Sequence, residues 1–285
     1  MKPIFFLLIA AFSTGIAGAQ TKRPIAPTDI YRLQEPSDIS ASPDGNWVLY
    51  SVSKVDAAKD RNLSNWWMTS WDGKESVQLS SDDADMSSAK WSPDGKYISF
   101  TATRGDDKYS QLYLMDRRGG EGIKVTKIKG NISDYNWSPD GSRVVMVIRD
   151  PDYSDTASTK VRKPYVIDRY RFKQDRRGYL DSLHQHLYVF TVATGKTDTL
   201  TQGIYDESNP VFSPDGKKIC FVSNHTAEPD RNENSDLFVT DVTGGPLRQL
   251  TTWPGGDRSP VWSPDGKWIA YAQSSSDETF TMFGQ

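Results

Sequence analysis

Cysteine is almost absent: Cys220 is the only one in 285 residues. A chain with one cysteine has no internal disulfide, so stability must come from core burial, which suits a large domain. Histidine is scarce too, with only His184, His186 and His225. Net charge is small, at −3, which gives no electrostatic case for nucleic acid as the main partner. No long stretch of helical period is present. Beyond the first twenty residues no segment approaches 18 apolar residues, so the mature chain is expected to hold no membrane span.

The one apolar run lies at the start. Lys2 supplies a positive charge, Ile4–Phe12 is apolar but too short to cross a bilayer, and Ala17-Gly18-Ala19 fits a small-x-small cleavage site. Residues 1–19 therefore read as a secretory signal peptide, with Gln20 opening an exported, periplasmic or extracellular chain. The absence of cysteine near that site argues against a lipid anchor there.

What the chain has in quantity is aromatic residues, 12% including nine Trp, and one repeated phrase. Ser-Pro-Asp-Gly occurs five times, at Ser42–Gly45, Ser92–Gly95, Ser138–Gly141, Ser213–Gly216 and Ser263–Gly266. The phrase is turn chemistry. Pro presets φ, the Asp side chain (Asp44, Asp94, Asp140, Asp215, Asp265) can bond nearby backbone, and the Gly (Gly45, Gly95, Gly141, Gly216, Gly266) accepts positive φ. The third residue after each Gly is Val48, Ile98, Val144, Ile219 or Ile269, and the fifth is Tyr50, Phe100, Met146, Phe221 or Tyr271. Positions three and five share one face of a strand, and the residue between them is mostly small and apolar. Both faces are then expected to be largely buried, as in a sheet packed between two others.

Each unit has a second half. Leu112–Gly120, Leu187–Gly195 and Leu237–Gly245 read as a strand followed by a glycine turn, with a looser version at Trp66–Gly73. A closing strand ends in Val77–Ser80, Ile123–Thr126, Asp198–Thr201 or Arg248–Thr251. Four short strands per unit, at this period, are the signature of a β-propeller blade. The expected fold is all-β, an incomplete propeller of about four and a half blades. The blades should lie near residues 36–80, 88–127, 134–201, 208–252 and 258–285. The last of these is cut short, since its closing strand would fall beyond Gln285.

The third unit carries an insertion, residues 150–181. Between Lys160 and Arg177 it holds eight Lys or Arg against Asp168 and Asp175. A long insertion in a repeat often projects from the working rim. Arg169, Tyr170 and Arg171 are the candidate residues for docking another domain or an anionic group on a peptide. The plain alternative is a solvated basic loop or hairpin.

Catalytic chemistry is hard to find. No Gly-x-Ser-x-Gly nucleophile elbow occurs, so no catalytic residue is assigned in this chain. His184 and His186 fall on one strand face as a possible metal pair, against the plainer reading that they pack or face solvent. No cofactor and no metal are expected. Cys220 sits at a buried strand position and reads as core. Asn62, Asn131 and Asn224 match the glycosylation sequon.

The repeated "WSPDGKYISF" units, paired with "LYLMD" and closing "LT", resemble the propeller repeats of TolB-like proteins and of the prolyl oligopeptidase family of serine peptidases. "PTDIYRLQEPSDISASPDGNWVLYSVS" (Pro27–Ser53) resembles secreted bacterial members close to acylaminoacyl and dipeptidyl peptidases. The most specific match is "KPYVIDRYRFKQDRRGYL" with "HLYVFTVATGK" (His186–Lys196). The resemblance implies an N-terminal propeller capping a C-terminal α/β-hydrolase domain that carries Ser, Asp and His. It also implies short peptides as substrates, admitted by the propeller. That hydrolase domain is absent from this sequence and would be the main partner. The resemblance equally covers a TolB-like periplasmic propeller that binds protein and catalyses nothing.

Overall fold

A computed structural model describes residues 23–81, 86–151, 166–167, 169–175 and 178–274. The expected signal peptide, the tail after Ser274 and much of the basic stretch at 160–177 lie outside the described residues.

Among the described residues, five blade sheets follow one another along the chain. The first holds β1 (Gln34–Ala41), β2 (Trp47–Asp56), β3 (Arg61–Ser70) and β4 (Ser76–Gln78). The second holds β5 (Ser87–Trp91), β6 (Tyr97–Ala102), β7 (Gln111–Asp116) and β8 (Ile123–Lys124). The third begins with β9 (Asn131–Trp137) and β10 (Arg143–Arg149). A small hairpin of β11 (Lys173–Gln174) and β12 (Gly178–Tyr179) intervenes before the sheet resumes with β13 (Gln185–Thr191) and β14 (Lys196–Thr199). The fourth holds β15 (Glu207–Phe212), β16 (Lys218–Ser223), β17 (Asp236–Asp241) and β18 (Arg248–Gln249). The fifth pairs β19 (Asp257–Trp262) with β20 (Ile269–Gln273). Each of the first four is a four-stranded antiparallel meander in chain order. This is an all-β, incomplete propeller.

The five Ser-Pro-Asp-Gly phrases join the first and second strands of the five sheets, and all five close the same way. The Ser hydroxyl donates to the Asp carboxylate at 2.5–2.6 Å. It accepts the N–H five residues on, at 2.9–3.0 Å. The Asp accepts the N–H two residues on. Every Gly has φ between 67° and 71°, which only glycine adopts without strain. These Ser hydroxyl bonds, with the backbone donors, hold each Asp below the usual carboxylate range. A sixth copy without proline closes β3 to β4: Ser70 bonds Asp72 at 2.8 Å, and Gly73 has φ 72°. The turns also touch between sheets. A Cβ on Gly95, Gly141 or Gly266 would stand 3.5–3.7 Å from the proline of the preceding turn, Pro43, Pro93 or Pro214.

Packing follows the expected two-faced pattern. In β10, Val144, Met146 and Ile148 face the second sheet with Leu112, while Val145 and Val147 face the fourth with Phe221 and Phe238. In β16, Ile219 and Phe221 face the third sheet, and Cys220 and Val222 face the fifth. Trp91 and Phe100 lie together in the core between the first two sheets. Most of these side chains are fully buried, worth about 1.5–3 kcal/mol each. The outward faces of the end sheets differ: Trp268, Val261 and Tyr271 are exposed.

A polar rivet runs beside each apolar core. The N–H of Trp66, Leu112, Leu187 and Leu237 donates to a buried hydroxyl fourteen residues on, Ser80, Thr126, Thr201 or Thr251, at 2.8–2.9 Å. Three of these hydroxyls donate in turn to the residue preceding that N–H or to the next sheet's first strand. Thr126 meets Gln111 at 2.9 Å, Thr201 meets Glu207 at 2.9 Å and Thr251 meets Asp236 at 3.2 Å.

An antiparallel meander sends alternate connections to opposite ends. The Ser-Pro-Asp-Gly turns therefore occupy one end. The insertion after β10 and the segment from Asn224 to Ser235 after β16 share the other.

Candidate functional site

That second end carries a cleft of 490 Å³ between the insertion and the fourth sheet. Arg169, Arg171, Asp181, His184, Asp206 and Asp230 are among its lining residues.

The insertion is clamped across the cleft. Arg169 donates from Nε and Nη2 to Asp230 Oδ1 at 3.1 and 2.6 Å, and from Nη1 to the Asp181 carbonyl at 2.7 Å. The Arg171 N–H donates to Asp230 Oδ2 at 2.7 Å, and its guanidinium bonds Glu233 at 2.7 Å. Burial works to raise the Asp230 carboxyl, but the Arg169 guanidinium and the Arg171 N–H overcome it and leave it below its ordinary value. Arg231 lies over the Tyr170 ring at 5.2 Å. At the root, Arg149 bonds Asp181 at 2.5 Å, and Asp150 accepts the His184 N–H at 3.0 Å.

Arg169 and Arg171, read from sequence as docking residues, thus spend much of their charge on Asp230 and Glu233 of the fourth sheet's long connection. Those acids lie about sixty positions away, and no local signal marked them. Among the described residues of the insertion, Val166, Ile167, Tyr170, Phe172 and Tyr179 are exposed, alongside Lys173, Gln174 and Asp175. Phe172 and Tyr179 face each other across the β11–β12 hairpin, ring centroids 6.4 Å apart.

The histidines engage carboxylates and aromatics. His186 is buried, with Nδ1 3.0 Å from Glu207 Oε2 and Nε2 3.8 Å from Asp150. The Glu207 bond raises its pKa above the ordinary imidazole value despite burial. His184 Nδ1 stands 3.6 Å from Asp206. His225 is stacked between Tyr205 and Phe238, at 4.0 and 4.3 Å, and burial lowers its pKa. Among the described residues no group of three or more His, Cys, Asp or Glu is placed to hold a metal. Cys220 is fully buried and its thiol is pushed up to about 12 by burial, which suits core rather than a nucleophile. Asn224 of the third sequon bonds Pro229, Asn232 and Thr226 beside the cleft.

Residues 180–279 match the family model of the TolB β-propeller domain. The fold is that of a β-propeller, and this part of the chain is similar to the TolB propeller domain. The uncharacterized peptidase YuxL of Bacillus subtilis is 30% identical over 223 residues, 76% of this chain and 34% of YuxL. The acylaminoacyl peptidase of Pyrococcus horikoshii superposes at a TM-score of 0.59 and 16% identity, over 78% of this chain and 33% of its own. The oligogalacturonate lyase of Vibrio parahaemolyticus also superposes at 0.59, with 15% identity, over 83% of this chain and 60% of its own. At these identities the structural likenesses establish the propeller fold alone, which hosts unrelated chemistries. The chain spans about a third of the length of the curated relative YuxL. A peptidase relative and a propeller-domain family match agree with the resemblance drawn from the sequence.

Proposed function

We propose that this chain is the substrate-selecting propeller of an exported serine peptidase that hydrolyses short peptides. The observation that carries the proposal is the identity with YuxL, a named peptidase, across three-quarters of the chain. In this reading the serine nucleophile, its base and its orienting acid belong to an α/β-hydrolase domain beyond this sequence. The propeller supplies a rim that admits extended peptides and turns away folded ones. The clamped insertion supports the reading: two arginines pin it to the fourth sheet, so its exposed Tyr170, Phe172 and Tyr179 form a held apolar ridge. That ridge would dock the hydrolase domain.

The test uses the full-length peptidase and a ladder of peptide lengths. Cleavage should fall steeply once peptides can fold. Phe172→Ala with Tyr179→Ala should relax that size limit. A size limit unchanged by the double variant would remove the ridge from the account. A second reading rests on the TolB family match: a periplasmic propeller that binds protein and catalyses nothing. Stable capture of a protein partner by a chain with no peptidase activity would favour it.

A further inference from the structure

The four rivets are built on equivalent positions with unlike chemistry. The residue before each of these N–H groups is Asn65, Gln111, His186 and Asp236 in turn. The residue six before each next Ser-Pro-Asp-Gly phrase is Met86, Ile132, Glu207 and Asp257. The first two junctions are therefore amide against apolar. Gln111 is neutral and satisfied, accepting from Thr126 and the Ile128 N–H and donating to the Ile128 carbonyl. The last two junctions bury ionisable pairs.

At the third junction His186 meets Glu207, both nearly inaccessible. Asp150, Asp206, His184 and the stacked His225 surround this pair, and Arg149 on the neighbouring strand is bound to Asp181. At the fourth junction the place of His186 is taken by Asp236, and Asp257, whose N–H donates to the Ser235 carbonyl at 2.7 Å, lies close enough for its charge to act on the Asp236 carboxyl. Asp236 is buried and accepts from Thr251 and from Gln249 at 2.9 Å. Asp257 is completely buried, and neither carboxyl oxygen has a hydrogen-bond partner. No described cation faces this pair in any bond or ion pair. A buried carboxylate beside a second buried carboxyl is disfavoured as an ion, which favours the protonated form of Asp236.

We propose that the junctions of the third, fourth and fifth sheets form a pH-sensitive joint that bound protons tighten, while the first two junctions are insensitive to pH. Loss of the His186 proton leaves Glu207 a buried charge without a cation. Loss of the carboxyl proton places two negative charges in one enclosed site. Both changes act in the same direction. Burial, together with the charge of Asp257, raises the Asp236 carboxyl, and the Glu207 bond raises the His186 imidazole. For groups raised on folding, stability is present at low pH and lost as pH rises through the folded value.

The experiment is amide hydrogen exchange on the whole chain from about pH 5 to about pH 9, corrected for intrinsic rates. Protection in residues 236–241 and 257–262 should fall by up to about tenfold per pH unit across the titration. Protection in residues 97–102 and 111–116 should stay level. Asp257→Asn, and independently Asp236→Asn, should flatten the fall at the fourth junction. His186→Gln, which installs the amide the second sheet already uses, should flatten it at the third. An equal fall at all junctions, or an undiminished fall in both Asn variants, overturns the proposal. So does recovery of protection on adding calcium at high pH, which would mean that the carboxylates hold a cation instead of a proton.

Discussion

Thr201→Val tests whether the rivets hold the sheets together. Valine keeps the shape of threonine and removes only the hydroxyl. Thr201 is buried, and its hydroxyl accepts the Leu187 N–H at 2.8 Å and donates to Glu207 at 2.9 Å. The variant strands a buried N–H, at about 1–3 kcal/mol, and removes a bond to a charged acceptor, at about 1.5–3 kcal/mol. A net loss of about 3 kcal/mol is expected, since part of the two terms relaxes together. In a domain of this size about 1 kcal/mol moves the melting temperature by about 2–4 °C, so a fall of about 6–12 °C should appear. Thr199→Val, at an exposed position two residues earlier, is the control and should cost under about 0.5 kcal/mol. Thr201→Ser should recover most of the loss. Urea unfolding and calorimetry read the result. A Thr201→Val cost indistinguishable from that of Thr199→Val would refute the reasoning.

Three further outcomes are expected. Gly122→Ala should lower soluble yield and destabilise by about 1–3 kcal/mol or more in urea unfolding, because its Cβ would stand 2.4 Å from Phe100 Cζ, a buried ring stacked on Tyr113. Ser138→Ala should raise the Asp140 carboxyl from about 2 toward its ordinary value, measurable by carbon NMR titration. Asp140 is lowered on folding, so the stability gap between wild type and variant should be full above the ordinary carboxylate pKa and narrow as pH falls toward 2. Arg169→Ala should speed chymotryptic cutting of the insertion more than Arg171→Ala does, because Arg169 holds both Asp230 and the Asp181 carbonyl, whereas Glu233 is well exposed.

Local chemistry was readable and spatial chemistry was not. The five Ser-Pro-Asp-Gly turns could be read because every bond in them lies within five residues. The copy at Ser70–Gly73 was harder to see because it lacks proline. Its network shows that Ser, Asp and Gly make the turn's hydrogen bonds without proline. Alternation along β10 and β16 announced sheets buried on both faces. The "LT" endings are visible as strand ends, yet their hydroxyls act on an N–H fourteen residues back and, at Thr201, on the next sheet. The insertion's basic charge pointed to an anionic partner outside the chain. Its described arginines meet Asp230 and Glu233, which only the ring of sheets brings near.

The central claim is that this propeller serves a serine peptidase, and the most direct measurement is active-site labelling. The full-length protein is treated with a serine-directed fluorophosphonate probe, with and without a short peptide in excess. Stoichiometric labelling is expected at a single serine outside this propeller, slowed by the peptide and coupled to loss of peptide cleavage. A folded full-length protein that takes up no probe and cleaves no peptide would contradict it.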